Sequence, residues 1–256
     1  MDTEAQHTER DLSSGPGNGP EEGSRFSRIQ DRSAPPMSWR RAAALGALCT
    51  VVLLLFSAYV IQPFLIPSGS MEPTLRVGDR VLVNKLAYRF GSVPERGDVV
   101  VFDGTGSFVQ ENAEENAVTG LLRGAAASLG LTEPAATDFV KRVVGVGGDR
   151  VVCCDKQGRI EVNGRPLDER YVHPGDAPSQ VPFDIVVPMG TLWMMGDHRG
   201  SSRDSRDHLG QPGGGMVPVD MVIGRVDWLG WPLGRLGSLP GTDAFAGVPE
   251  PAGAHG

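Results

Sequence analysis

Cysteine is scarce in this chain of 256 residues, which contains only Cys49, Cys153 and Cys154. Three cysteines cannot form the disulfide framework that holds a small secreted domain together, so that class of protein is excluded. Neighbouring residues on a strand point to opposite faces of the sheet. We therefore expect one thiol of the adjacent pair to be buried and the other exposed, with a disulfide between the two neighbours as the alternative.

Net positive charge is also absent, because the formal net charge is −7 and the sequence pI is about 5.3. Such a chain has no overall positive field to attract a nucleic-acid backbone, and we expect no nucleic-acid partner. The histidines outside the two tails, His173, His198 and His208, show none of the short paired spacings typical of zinc sites. The sequence therefore predicts no metal site.

Apolar periodicity is missing from the first 41 residues, which are rich in Ser, Gly, Pro and charge. Such a segment cannot bury enough apolar surface to offset its ordering entropy, so we predict a disordered tail over residues 1–41. The whole chain contains 35 glycines and 20 prolines. That content is too high for a helical bundle and favours strands, turns and flexible ends.

The long hydrophobic run of the chain extends over residues 42–61 and contains no charged residue. Its twenty residues match the length that a helix needs to cross about 30 Å of hydrocarbon, which predicts a transmembrane helix. A buried core helix would carry a polar side, and a cleavable signal peptide would have a shorter apolar region nearer the N-terminus. Five arginines and one aspartate lie between positions 25 and 41, whereas no charge follows until Glu72. The positive-inside rule then places the N-terminus in the cytoplasm and the rest of the chain outside.

After this helix the sequence changes to short β-type runs separated by Gly, Pro and Asp, which predicts a mostly β domain over residues 62–236. Residues 104–138 are polar and rich in small side chains, so we predict an insertion there. Residues 237–256 are rich in Gly, Pro and Ala and are predicted to form a flexible C-terminal tail. The predicted strands are RVLVNKL from Arg80, GDVVVF from Gly97, FVKRVVGV from Phe139, a hairpin over 151–164, DIVVP, TLWMMGD and MVIGRVDWL.

A serine in a turn framed by Gly and Pro can present its hydroxyl and nearby N–H groups to a substrate carbonyl. The chain has such a turn at Pro67-Ser68-Gly69-Ser70-Met71-Glu72-Pro73-Thr74-Leu75. Such clusters are also common plain loops. A nucleophilic serine needs a base, which is usually His but can be a lysine whose pKa is lowered by burial. Lys141 lies in an apolar strand pattern and fits that requirement, with an ordinary edge-strand charge as the alternative.

A third segment, Met195-Gly196-Asp197-His198-Arg199-Gly200-Ser201-Ser202-Arg203-Asp204-Ser205-Arg206, is dense in hydroxyls and opposed charges. By itself it also fits a solvated loop with weak ion pairs. The chain resembles the bacterial type I signal peptidases in four features that follow one another in this order: the anchor, PSGSMEPTL, FVKRVVG with the following GGD, and GDHRGSSRDSR. These peptidases are membrane-anchored serine proteases that remove signal peptides. The resemblance covers roughly residues 62–236, without the 104–138 segment.

The resemblance implies a mostly β, signal-peptidase/LexA-like antiparallel fold preceded by one N-terminal transmembrane helix. It makes Ser70 the nucleophile and Lys141 the general base of a Ser-Lys dyad, and it gives no catalytic role to His198. The resemblance also implies supporting residues. The Ser68 hydroxyl would join the Ser70 N–H in an oxyanion hole, and Ser202 would hydrogen-bond and orient Lys141. Asp204 and Arg206 would form a supporting ion pair, and Met71 would border a pocket for a small side chain.

The same resemblance implies an integral protein of the cell membrane that cleaves signal-peptide-bearing preproteins at small-x-small, Ala-x-Ala-like sites. Ser70 follows Ile61 by nine residues, so an extended connector holds it within about 30 Å of the membrane surface. No metal or organic cofactor is required by a mechanism that uses a hydroxyl, a neutral amine and oxyanion donors. The alternatives are a Ser-Lys peptidase with a few dedicated substrates and a catalytically idle anchored binding domain. The oligomeric state is left open.

Overall fold

The computed structural model describes residues 38–109 and 137–251. Helix α1 extends over Trp39–Tyr59, and its segment Trp39–Ser57 is long and apolar enough to cross a membrane by length and composition. The sequence predicts this helix over residues 42–61. The observed helix ends earlier because Ile61 begins the first strand. Most of the predicted N-terminal tail, and positions 110–136 of the predicted insertion, lie outside the described residues.

The rest of the described chain is mostly β, as predicted, with strands joined by turns and four short 3₁₀ helices. The 3₁₀ helices among the described residues are Gly69–Met71, Ser205–His208, Val219–Met221 and Leu233–Arg235. The strands are β1 Ile61–Leu65, β2 Arg80–Asn84, β3 Val99–Asp103, β4 Asp138–Val146, β5 Arg150–Cys153, β6 Ile160–Val162, β7 Arg165–Pro166, β8 Phe183–Val186, β9 Thr191–Met195, β10 Met216–Pro218, β11 Val222–Trp231 and β12 Gly237–Ser238.

Two antiparallel sheets form this β domain. The larger has eight strands in the order β1-β2-β11-β3-β4-β9-β10, with β12 paired to β11, and the smaller has the order β7-β6-β5-β8. Strand β4 lies inside the larger sheet between β3 and β9. Bulges interrupt the pairing of β4 with β9 and of β11 with both of its long neighbours, and bulges of this kind bend strands and increase their twist.

The predicted strands are confirmed, including the hairpin of β5 and β6 with its turn near residues 156–158. Strands β1, β7, β10 and β12 were not predicted. Three of them have only two or three residues, too few for an alternating pattern, and β1 continues directly from the hydrophobic run. Apolar side chains fill the core in three buried clusters. One of them joins the smaller sheet to β9 through Val151, Ile160 and Trp193.

The prediction of a flexible tail over residues 237–256 is wrong for its described part, up to residue 251. Strand β12 pairs with β11, Val248 is 8% exposed and belongs to the core cluster of the smaller sheet, and the Pro249 carbonyl accepts hydrogen bonds from Arg96 and Asn163. The prediction was based on composition alone, and it failed because a few apolar side chains among many Gly and Pro residues are enough to anchor a segment.

The expectation of one buried and one exposed thiol at Cys153 and Cys154 is also wrong, because the two sulfurs are joined in a disulfide. Cys153 ends β5, and Cys154 begins the turn that follows it. The strand alternation that predicted opposite faces therefore applies only to the first of the two residues. The alternative considered for this pair is the observed state. Cys49 is free and lies on α1.

Candidate active site

Ser70 lies in the short 3₁₀ helix Gly69–Met71, in the connection between β1 and β2. The side chain is buried, with 8% of the residue exposed. Its backbone is held from the other side of the site, because the His198 N–H donates a hydrogen bond to the Ser70 carbonyl oxygen over 3.1 Å. The turn framed by Gly and Pro therefore presents one hydroxyl toward the interior of the domain.

Lys141 lies on β4, opposite Val100 of β3 in the strand pairing. Since β4 is an interior strand, the alternative of an edge-strand charge does not apply. The Lys141 side chain is buried, and its Nζ donates a hydrogen bond to Ser70 Oγ over 2.8 Å. Two residues that are 71 positions apart in sequence thus form a direct hydroxyl–amine pair.

Burial changes the ionisation of Lys141 strongly. Desolvation lowers the pKa of its ammonium group from 10.5 to about 8, and the negative charges of Asp204 and Asp197 oppose this effect only in part. A charged form loses its hydration when it is buried, so the neutral amine is favoured. A neutral amine within hydrogen-bond distance of a hydroxyl can accept that hydroxyl's proton. This pair can therefore carry out general-base chemistry near neutral pH.

Ser68 lies beside the pair, and its hydroxyl donates a hydrogen bond to Ser70 Oγ over 3.3 Å. Ser68 has extended backbone geometry and precedes the 3₁₀ helix directly. The Ser68 hydroxyl and the Ser70 N–H therefore belong to residues two positions apart in sequence. Both groups are close to Ser70 Oγ, the candidate nucleophile. Met71, on the other side of Ser70, is 1% exposed and packs in the core cluster formed by β1, β2, β3 and β11.

Ser202 lies close to the Ser70 backbone, and both approach the same glycine. A Cβ added at Gly196 would lie 2.5 Å from the Ser70 carbonyl oxygen and closer still to the Ser202 hydroxyl. Ser202 Oγ is buried and forms no hydrogen bond of good geometry among the described residues, but it interacts with the Asp204 carboxylate and helps to lower the pKa of that group. The hydrogen bond to Lys141 that the sequence resemblance implies is therefore not formed in this structure.

Asp204 and Arg206 form a buried ion pair behind the dyad, with Arg206 Nε 2.8 Å from Asp204 Oδ1 and Nη2 2.8 Å from Oδ2. The other contacts of Asp204 hold the turn in shape, because its carboxylate accepts the N–H groups of Gly196 and Arg206. Burial opposes ionisation, but the hydrogen bonds and the charge of Arg206 outweigh it and lower the pKa of Asp204. The pair therefore stays ionised and closes the loop between Gly196 and Arg206.

A second buried ion pair was missed by the sequence reasoning. Arg142, the neighbour of Lys141, donates from Nε and Nη2 to the two oxygens of Asp197 over 2.8 and 2.6 Å. Thr74 donates its hydroxyl to the same carboxylate, and the guanidinium carbon of Arg142 lies 4.1 Å from the centroid of the Tyr171 ring. The adjacent Lys-Arg pair in an apolar strand was a signal for this arrangement, because neighbours on a buried strand both require polar partners.

His198 is near the pair but does not contact the hydroxyl. Its Nδ1 faces the Gly69 carbonyl oxygen at 3.2 Å, and its ring stacks on His173 with centroids 4.0 Å apart. Among the described residues, the hydrogen bonds to Ser70 Oγ come from Lys141 and Ser68. The arrangement is a Ser-Lys pair with a nearby histidine, and a Ser-His pair is not formed.

Comparison with known proteins gives one family for most of the chain. The family model described as "Signal peptidase, peptidase S26" matches residues 39–231. A signal peptidase I of Mycobacterium tuberculosis is 39% identical over 230 residues, covering 81% of this chain and 78% of that protein. A probable signal peptidase I of Mycobacterium leprae is 36% identical over 234 residues, covering 80% of each chain.

A crystal structure of a signal peptidase I from Enterococcus faecalis V583 also matches, with a TM-score of 0.33 and 22% sequence identity. It covers 52% of this chain and 96% of the other. A structural similarity this low has no bearing on function. The assignment of a family therefore depends on the sequence matches, which extend from α1 through β11.

Proposed function

The chain belongs to the S26 family of signal peptidases and is a serine endopeptidase, and from that premise we propose that it removes signal peptides with Ser70 as nucleophile and Lys141 as general base. The observation that carries the proposal is the buried hydrogen bond of 2.8 Å between Lys141 Nζ and Ser70 Oγ. The lowered pKa of about 8 supports it, because a useful fraction of the amine is neutral at neutral pH.

The first half of the reaction forms an acyl-enzyme. Ser70 Oγ attacks the carbonyl carbon of the scissile peptide bond while Lys141 Nζ takes the hydroxyl proton. The tetrahedral intermediate then expels the amine of the mature protein, which receives that proton from the Lys141 ammonium. The signal peptide remains bound through an ester to Ser70. In the second half, Lys141 takes a proton from water, the resulting attack hydrolyses the ester, and the proton returns to Ser70.

The negative charge of the tetrahedral intermediate needs hydrogen-bond donors placed before the reaction begins. We assign this role to the Ser68 hydroxyl and the Ser70 N–H. Ser68 is within 3.3 Å of Ser70 Oγ and has a hydroxyl that can rotate toward a bound carbonyl oxygen. A donor of this kind contributes about 3 kcal/mol to transition-state stabilisation.

The remaining site residues are assigned to positioning and to substrate contact. Ser202 would donate to or accept from Lys141 once the substrate excludes water, which gives its buried hydroxyl a hydrogen bond of good geometry that the described residues do not supply. Asp204 and Arg206 hold the segment that carries Ser202. Met71 would border the pocket for a small side chain, a role supported by its place next to Ser70 and by its burial.

The enzyme would work at the membrane surface, anchored by α1 with its N-terminus in the cytoplasm and its β domain outside. The apolar helix and the arginines before it and in its first turn support this orientation. The substrate would be a preprotein whose apolar segment lies in the bilayer and whose small-x-small site emerges beside Ser70. An extended substrate segment would pair with a strand edge and place two small side chains in shallow pockets.

The proposal is tested with the full chain in detergent and a preprotein that carries an Ala-x-Ala site. Wild type should cut after that site, as identified by mass spectrometry of both fragments, and Ser70→Ala and Lys141→Ala should not cut. The matched controls are Ser201→Ala and Lys156→Ala, which change exposed residues of the same types and should retain activity. If the chain is a catalytically idle binding domain, wild type will leave the preprotein intact. If it is a specialised peptidase, wild type will cut only some preproteins.

A further inference from the structure

Three side chains with metal-binding atoms meet beside the nucleophile segment. Glu72, His173 and His198 each offer one ligand atom, and these atoms all lie within 4.8 Å of one another. The residues come from three different segments: the turn after Ser70, the loop after β7 and the loop after β9. All three are partly exposed, so an ion can reach them from solvent.

The hydrogen bonding of His198 fixes which of its nitrogens is free. Its Nδ1 lies 3.2 Å from the Gly69 carbonyl oxygen, and because a carbonyl only accepts, Nδ1 carries the proton in that bond. The lone pair is then on Nε2, which lies 3.9 Å from Asp176 Oδ2. A histidine that binds a metal almost always donates its other ring N–H to a carbonyl or carboxylate in this way.

The charge around the cluster also favours a cation. Within the described ranges, neither Glu72 nor Asp176 forms an ion pair with a Lys or Arg side chain. Asp176 is instead held by the N–H of Gly200, which donates to its Oδ2 over 3.0 Å. Two carboxylates and two imidazoles therefore share one partly buried region without a neutralising cation. A divalent ion would supply the missing charge.

We propose that Glu72, His173 and His198 bind a divalent transition-metal ion such as Zn²⁺, and that the bound ion slows the peptidase. Two imidazole nitrogens and one carboxylate oxygen are a ligand set that suits Zn²⁺ and leaves a fourth position for water or for Asp176. This site is separate from the Ser-Lys chemistry, which needs no metal.

The inhibitory effect follows from the geometry and depends on the proposed function. Tetrahedral ligands about 2.0 Å from zinc lie about 3.3 Å from one another, and these ligand atoms lie within 4.8 Å of one another. The parallel rings of His173 and His198, 11° apart in orientation, would also have to tilt toward a shared ion. Coordination therefore ties Glu72 to two rings that must themselves reorient, and Glu72 is two residues from Ser70. A catalytic site tolerates displacements of only about 0.5 Å.

The binding claim is tested by equilibrium dialysis of the full chain in detergent against ZnCl₂, which does not depend on activity. Wild type should bind one Zn²⁺ with an affinity that falls at least about tenfold in Glu72→Gln and in His173→Gln. The two substitutions lie in different segments, so we do not expect both variants to misfold. Circular dichroism checks the folding of each variant. The control is the double variant His7→Gln, His255→Gln, which removes the terminal histidines and should bind like wild type. Equal affinity in wild type, Glu72→Gln and His173→Gln would overturn the site.

The inhibitory claim is tested by preprotein cleavage in the same buffers. Added Zn²⁺ should slow wild type reversibly, with EDTA restoring the rate, and should slow Glu72→Gln only at concentrations at least about tenfold higher. Binding without any slowing would overturn inhibition and leave the site standing. If wild type cuts no preprotein even in EDTA, the proposed function fails, and the dialysis result still decides the metal site.

Discussion

The pH dependence of cleavage is the sharpest consequence of a buried lysine base. With a Lys141 pKa of about 8 in place of 10.5, about 9% of the amine is neutral at pH 7, against about 0.03% without the shift. Burial thus raises the active fraction at pH 7 about 300-fold. The kcat/KM for a preprotein should rise about tenfold per unit below pH 8 and level off above it.

The assay measures kcat/KM from about pH 6 to pH 10 with EDTA present, because this parameter reports ionisation in the free enzyme. The rise near pH 8 should persist in His198→Gln, whose ring does not contact the Ser70 hydroxyl. A midpoint near the ordinary histidine pKa of about 6.5 that disappears in His198→Gln would refute the reasoning and make His198 the base. A midpoint near 10.5 would show that burial does not shift Lys141.

Three further results are expected. Gly196→Ala should reduce kcat/KM about 100-fold, because its Cβ would displace the Ser70 carbonyl and Ser202. Asp197→Asn should lower the free energy of unfolding by about 3 kcal/mol in urea titrations, because it leaves the buried guanidinium of Arg142 without its charged partner. Lys141→Met should raise that free energy by about 3 kcal/mol at pH 7 and by less than about 1 kcal/mol at pH 10. The sign follows from the lowered pKa: the unfolded wild type binds more protons, so its stability rises between about pH 8 and pH 10.5.

Matched controls separate these effects from general damage. Gly210→Ala adds a methyl group in open space and should keep the wild-type rate. Asp168→Asn breaks an exposed pair with Arg170 and should cost less than about 1 kcal/mol. Equal losses in Gly196→Ala and Gly210→Ala, or in Asp197→Asn and Asp168→Asn, would contradict the packing argument. A Lys141→Met variant that is less stable than wild type at pH 7 would contradict the cost assigned to the buried amine.

Much of the β domain was predictable because its long strands have strong apolar patterns, as in GDVVVF and FVKRVVGV. Ser70 and Lys141 were named from motif order, and the structure brings their side chains together. Whether they act as nucleophile and base remains a prediction. The short strands and the packing of Val248 were not predictable, because they depend on pairing and on contacts with distant residues.

The tertiary environment also explains what the sequence reasoning missed at the site. Arg142 and Asp197 are 55 positions apart, so no local pattern pairs them. The three residues of the proposed metal site are far apart in sequence and have no ligand spacing that could be recognised. The Cys153–Cys154 disulfide was weighed only as an alternative, because strand alternation places neighbours apart and the end of β5 at Cys153 was not foreseen.

The central claim is that Ser70 and Lys141 act as one unit, and single-turnover cleavage by Ser70→Ala, Lys141→Met and the double variant tests it most directly. Groups that act as a unit lose their effect together. Each single variant should be at least about 10⁴-fold slower than wild type, and the double variant should be no slower than either one. If Lys141→Met keeps more than about 1% of the wild-type rate, or if the two losses multiply, then the two residues do not form a catalytic dyad.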